Sequence, residues 1–155
     1  MDNRLYKRAK EGVKMDLYQK LRNMKILVID DDEWIRDALT LFFVAERCNL
    51  LALATAEEGI EALAKQRYEI IICDYKLPGM DGLGFFKAIQ KSHPDALKVL
   101  VTAYGNEGMA NEATRIGVHD FIQKPLTTDA LEKSLVSLIQ QYENKHGEIQ
   151  PEKNK

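Results

Sequence analysis

The chain of 155 residues has little of what would mark several protein classes. It holds only two cysteines, Cys48 and Cys73, each in or beside an apolar segment and without metal-ligand spacing. That excludes a zinc framework and predicts free thiols in a reducing compartment. No apolar run approaches the roughly 20 residues that a membrane span needs, and the N-terminus has neither a hydrophobic signal core nor a small-residue cleavage site. No membrane span is expected, and the cytoplasm is the predicted location. No glycine follows the first apolar run, where a nucleotide-binding turn would want several, and Asp30 to Glu33 would repel phosphate there. Repeats and low-complexity segments are absent from the sequence.

What is there is a soluble, globular composition, 45% hydrophobic and 30% charged, in a length that suits one domain with a substantial core. The net charge is −2, unevenly spread: residues 1–25 hold eight Lys/Arg against three Asp/Glu, a balance of +5, and the rest hold fourteen against twenty-one, a balance of −7. A basic arm precedes an acidic domain. The organisation read from this is a basic amphipathic extension over 1–23, a domain over 24–144 and a polar C-terminal tail over 145–155.

From Met24 onward, short apolar runs alternate with longer segments of helical period, the pattern of βα units and a parallel sheet. Strands are expected near 25–30, 49–54, 69–73, 97–101 and 119–122, with helices near 33–46, 56–66, 82–92, 106–116 and 127–144. The first, third and fourth runs are apolar on both faces, as central strands covered by helices on each side must be. The alanine-bearing run from Leu50 to Thr55 suits a place nearer the edge. Thr127 or Thr128 is positioned to cap the last helix, and the residues after Asn144 read as a frayed tail.

The chemistry lies where these runs end. Asp30 and Asp31 follow Ile29, Asp74 follows Cys73, Thr102 follows Val101 and Lys124 follows Ile122 by two residues. The carboxyl ends of parallel strands share one edge, where such sheets bind ligands, so four separate segments converge on one site. Three carboxylates there repel one another, and one ammonium cannot neutralise them, whereas a divalent cation can. All-oxygen ligands with room for water suit Mg²⁺. A carboxylate held at the end of a buried strand beside a metal and Lys124 can attack phosphorus. Alone, each group has a plainer reading: Asp32 as a helix cap, Thr102 as a local hydrogen bonder, Lys124 as a surface lysine. Pro125 after Lys124 marks a bond that can adopt the cis form and aim the lysine inward.

Taken together these segments resemble the receiver domain of two-component response regulators, the CheY-like family. The matching stretches are Lys25 to Glu33, Asp74 to Gly82, Val101 to Gly105 and Phe121 to Leu126, in order over about residues 24–144. The resemblance implies a flavodoxin-like, doubly wound five-stranded parallel sheet of order 2-1-3-4-5, here with an extra N-terminal helix. It implies Asp74 as phosphoacceptor, and Mg²⁺ held by Asp30, Asp31, Asp74 and the backbone carbonyl of Lys76. Thr102 and Lys124 would then contact phosphoryl oxygens, with Thr102 and Phe121 as switch residues. The cis form of the Lys124–Pro125 bond is expected on the same ground. The implied donor is a sensor histidine kinase or phosphotransfer protein, and the output is a protein partner met by the face built from the helix near 106–116, the strand near 119–122 and the helix near 127–144. Such a protein is not an enzyme beyond catalysing its own phosphorylation and dephosphorylation. Trp34 and Lys76 depart from the commonest family pattern, and both positions bear on the lifetime of the acyl phosphate.

Other readings fit less well. A haloacid-dehalogenase-type phosphatase needs a second Asp two residues after its nucleophile, and Lys76 stands there. The eleven residues after Asn144 are too few for a DNA-binding output module, so no direct nucleic-acid binding is expected. The alternatives kept open are a receiver fragment of a longer transcriptional regulator and an interaction module that signals without phosphate. In the arm, Tyr6, Ala9, Val13, Leu17, Leu21 and Met24 recur at helical spacing, interrupted by Gly12. Either a solvated extension or a helix docked on its own domain, on a second copy as a homodimer, or on another partner follows from that stripe.

Overall fold

The computed structural model describes residues 3–103 and 105–151. Helix α1 (Asn3–Leu21) comes first, and five βα units follow: β1 (Lys25–Ile29), α2 (Glu33–Ala45), β2 (Asn49–Leu53), α3 (Ala56–Lys65), β3 (Ile70–Asp74), α4 (Gly82–Ile89), β4 (Leu97–Thr102), α5 (Glu107–Arg115), β5 (Asp120–Gln123) and α6 (Thr128–His146). The strands form one parallel sheet in the order β2-β1-β3-β4-β5. Ile26 pairs with Leu50 on one side and Ile70 on the other, so the three runs without polar alternation occupy the centre as expected.

Alternate residues of these strands feed two cores. Ile26, Val28, Ile72, Val99 and Val101 meet Phe43 of α2 and Leu131, Leu135 and Leu138 of α6. Leu27, Ile29, Ile71, Cys73 and Leu100 meet Leu63 of α3, Phe85 and Phe86 of α4 and Ala113 of α5. Helix starts follow local chemistry: Asp32, Asp81, Asn106 and Thr127 each accept from a backbone N–H of the first turn, and Thr55 with Glu58 forms a full capping box. Both cysteines are buried and neither forms a disulfide.

Two segments differ from the sequence reading. α4 stops at Ile89 rather than near 92, where the Gln90 N–H turns to the Lys87 carbonyl, three residues back instead of four. The segment after Asn144 continues α6 by two residues, turns at Gly147 (φ 89°) and folds back instead of fraying before Pro151. Ile149 packs on the core and donates its N–H to Glu143 Oε2 (2.8 Å), and Asn23 Nδ2 donates to the Gln150 carbonyl (2.8 Å).

The inner half of α1 is part of the domain. Leu17, Tyr18 and Leu21 are buried with the α2 and α6 side chains. Tyr18 Oη donates to Glu132 Oε2 (2.8 Å), Lys20 Nζ pairs with Glu143 (2.9 Å) and Lys14 Nζ lies 3.5 Å from Glu132 Oε1. The outer half is exposed from Asn3 to Val13. Among the described residues, no helix is long and apolar enough to cross a membrane.

Candidate functional site

Asp30 is carried on the last rung of the β1–β2 ladder, its N–H donating to the Leu53 carbonyl (3.0 Å). Asp30 is 4% exposed, and its Oδ1 accepts from the Asp32 N–H (2.9 Å). Arg36, one turn into α2, donates from Nη1 to the Asp30 carbonyl (3.0 Å) and clamps the turn from the other side. Asp31 is exposed, and Asp32 turns out to be the N-cap of α2, accepting from the Trp34 N–H. Asp74 ends β3 and is 5% exposed. Thr102 ends β4 at 1% exposure, with its carbonyl held by the Lys124 N–H (2.7 Å).

Lys124 closes the arrangement. It follows β5, and the Lys124–Pro125 bond is cis, as the sequence predicts. Its Nζ donates to Asp74 Oδ2 (3.0 Å) and lies 3.7 Å from Asp30 Oδ2. Carboxylate oxygens of Asp30, Asp31 and Asp74 lie within 4.8 Å of one another, a grouping able to hold a metal ion. Asp31, Asp32, Asp74, Lys76, Leu77, Pro78, Thr102, Ala103 and Lys124 line one open cavity of about 440 Å³. Asp31, Asp74, Lys76, Thr102 and Lys124 thus share one depression, and Asp30 joins them through its carboxylate beside Asp74 and Lys124. A larger groove of about 760 Å³ beside α1 shares no lining residue with it.

Burial pushes the Asp30 and Asp74 carboxyls above the ordinary carboxylate range. At Asp74 the hydrogen bond from Lys124 opposes that shift without cancelling it. Burial also works against the Lys124 ammonium, but the hydrogen bond to Asp74 and the charges of Asp30 and Asp31 prevail and hold it above its ordinary value. Negative charge is in excess, so the site favours an incoming cation.

The loop after β3 is fixed by its glycines and by a distant acid. Gly79 has φ +74°, which a side chain would strain, and a Cβ on Gly82 would press on the Asp74 carbonyl and Leu100. Glu57 of α3 accepts from the Met80 N–H (3.1 Å). Neither Glu57 nor Arg36 stands out in the sequence. Arg36 could have been found from its place four residues after the Asp32 cap, whereas Glu57 carries no such signal. Phe121 is half-buried against the α3–α4–α5 core, its ring edge over Gly105 where a methyl group would overlap it.

The family described as "Response regulator receiver domain" matches residues 26–136. The C4-dicarboxylate transport transcriptional regulatory protein DctD of Rhizobium meliloti is 36% identical over 109 residues, 70% of this chain and 24% of that protein. Sporulation initiation phosphotransferase F of Bacillus subtilis is 29% identical over 111 residues, 72% of this chain and 90% of that protein. A CheY-like receiver domain structure from Methanospirillum hungatei superposes with a TM-score of 0.72 at 28% identity, covering 79% of this chain and 98% of that one. This chain spans about a quarter of the length of the longer regulators that it matches, 24% and 26% for two of them, and 58% of the transcriptional regulatory protein FixJ. With the sheet order, the strand-end acids and the family match over most of its length in agreement, the chain belongs to the response regulator receiver domains of two-component signalling.

Proposed function

We propose that the chain takes a phosphoryl group from the phosphohistidine of a sensor histidine kinase or phosphotransfer protein onto Asp74. In that transfer an Asp74 carboxylate oxygen forms the new P–O bond as the P–N bond to the donor imidazole breaks, and the released imidazole nitrogen takes a proton from water. The observation that carries the reading is a carboxylate 5% exposed at a strand end, hydrogen-bonded to Lys124 Nζ at 3.0 Å and facing a cavity also lined by Thr102. Lys124 and the Thr102 hydroxyl are suited to contact the phosphoryl oxygens, and Lys124 offsets part of the added charge. Asp30, Asp31, Asp74 and the Lys76 carbonyl would hold Mg²⁺, because the donor set is all oxygen, negative charge is in excess and the open cavity leaves room for water. When bound, that ion supplies the positive charge that lets an anionic phosphodonor approach an anionic nucleophile.

The added charge at Asp74 alters what Thr102 and Phe121 face, and the α5–β5–α6 surface would carry that change to a downstream protein. Relatives of this chain include both long transcriptional regulators and a phosphotransferase that the match covers to 90%. The same Asp74 chemistry serves either setting. Incubation with acetyl phosphate and Mg²⁺ should add one phosphoryl group by intact mass, and Asp74→Asn should abolish it. Undiminished labelling of Asp74→Asn would sink the assignment.

A further inference from the structure

Two exposed apolar stripes of opposite charge remain outside the site and the core. On the outer half of α1, Leu5, Tyr6, Ala9 and Val13 share one helical face, with Leu5 at 65% exposure and Tyr6 at 59%. Lys14 pairs with Glu132 of α6 and Lys20 with Glu143, both toward the inner end of α1. Residues 3–14 carry Arg4, Lys7, Arg8, Lys10 and Lys14 against Glu11, and Lys7, Arg8 and Lys10 make no ion pair among the described residues. On α2, Trp34, Ala38, Leu41 and Ala45 recur at helical spacing on the side away from Phe43, with Trp34 86% and Leu41 72% exposed. Asp31, Asp32, Glu33 and Asp37 surround the N-terminal end of that stripe, all exposed.

A soluble surface rarely leaves a tryptophan and a leucine open along one helix without a partner for them. We propose that the partner is a second copy of this chain: the basic outer half of α1 from each copy lies on the acidic apolar face of α2 in the other. The two contacts are then related by a two-fold axis, which closes the assembly as a dimer. The pairing is between copies because the inner half of α1 is fixed along α6 by Leu17, Leu21 and the Lys20–Glu143 pair. Its own α2 meets it through Phe42 and Phe43, the Tyr18 and Phe42 rings lying 6.1 Å apart, whereas the Trp34–Leu41 stripe lies about 80–100° round α2 from Phe42 and is exposed. Two α1 segments could not pair with each other as well, since each is strongly basic.

Sedimentation of the full chain across a concentration series tests this. A monomer–dimer equilibrium is expected that weakens as salt rises. Arg8→Glu with Lys10→Glu should move its midpoint roughly tenfold or more toward higher concentration, and so should Glu33→Lys with Asp37→Lys, because each brings like charges together. All four changes in one chain should restore association. Circular dichroism of each variant separates lost pairing from lost folding. A chain that stays monomeric at low salt overturns the proposal. So does a dimer indifferent to the α2 changes, or variants that associate as before while losing phosphotransfer from a donor protein, which would assign the α2 face to that donor.

Discussion

Replacing Asp30 with Asn should make the metal-free protein more stable while removing most of its stabilisation by Mg²⁺. Asn keeps the shape and still offers Oδ1 to the Asp32 N–H, so the change removes charge and little else. Asp30 lies within 4.8 Å of both other carboxylates by their nearest oxygens, and its Oδ2 is 3.7 Å from Lys124 Nζ. At an effective dielectric of about 20, each repulsion is worth about 3.5 kcal/mol and the attraction about 4.5 kcal/mol. The repulsion from exposed Asp31 is screened to about half of that, which leaves Asp30 about 1 kcal/mol unfavourable before its own desolvation is added. A gain of about 1–2 kcal/mol is therefore expected from the substitution.

The pH dependence carries the same sign. Asp30 and Asp74 have folded-state values raised above the unfolded ones, so their ionisation opposes folding. Without metal, the wild-type protein should gain stability from these two groups as pH falls from neutral through their raised values, with the gain complete below the ordinary carboxylate value. It should lose that contribution as pH rises again. In Asp30→Asn the dependence should shrink by the share of one group. Urea denaturation followed by far-UV circular dichroism at several pH values, with and without Mg²⁺, measures all of this. Trp34 is a poor unfolding probe because it is 86% exposed in the folded state. The reasoning fails if Asp30→Asn is the less stable protein without metal, or if Mg²⁺ stabilises both equally.

Two further substitutions separate switch from scaffold. Gly105→Ala should push the Phe121 ring out of its present place, since the new methyl would overlap the ring edge; a shifted ring signal in nuclear magnetic resonance, with acetyl-phosphate labelling of Asp74 retained, is the expected result. Leu21→Ala, at a position with no exposure between α1 and the core, should cost about 2–5 kcal/mol in chemical denaturation and leave that labelling intact.

The central strands were legible because β1, β3 and β4 are covered on both faces, which leaves runs such as Ile70-Ile71-Ile72 without polar alternation. The site was legible for a related reason: a charged residue directly after such a run has no place to go but the sheet edge. Contacts between distant segments left no local trace. Tyr18 and Glu132 are 114 residues apart and Lys20 and Glu143 are 123 apart, so the anchoring of α1 could not be read from its own stripe. That stripe was read as one continuous face, yet burial divides it at about Lys14 into an inner half inside the core and an outer half outside it. Nor could the polar letters after Asn144 reveal that Gly147 turns Ile149 back onto α6.

The site opposes folding locally, and the same strands that carry it explain why the domain tolerates it. Ile26, Leu27, Val28, Ile29, Ile70, Ile71 and Ile72 are at most 1% exposed. Burying each contributes roughly 1.5–3 kcal/mol, a gross gain on the order of 10–20 kcal/mol from two strands alone. The excess repulsion among the three carboxylates is a few kcal/mol by comparison. The acids are thus held in place by packing below them rather than by their own contacts, so removing one charge should change metal affinity and stability without moving the others. Variants at Asp30, Asp31 and Asp74 can on that account be read as changes in chemistry at a fixed frame. A loss of labelling in Asp74→Asn with an unchanged far-UV spectrum would then point to the missing carboxylate nucleophile and not to a collapsed edge.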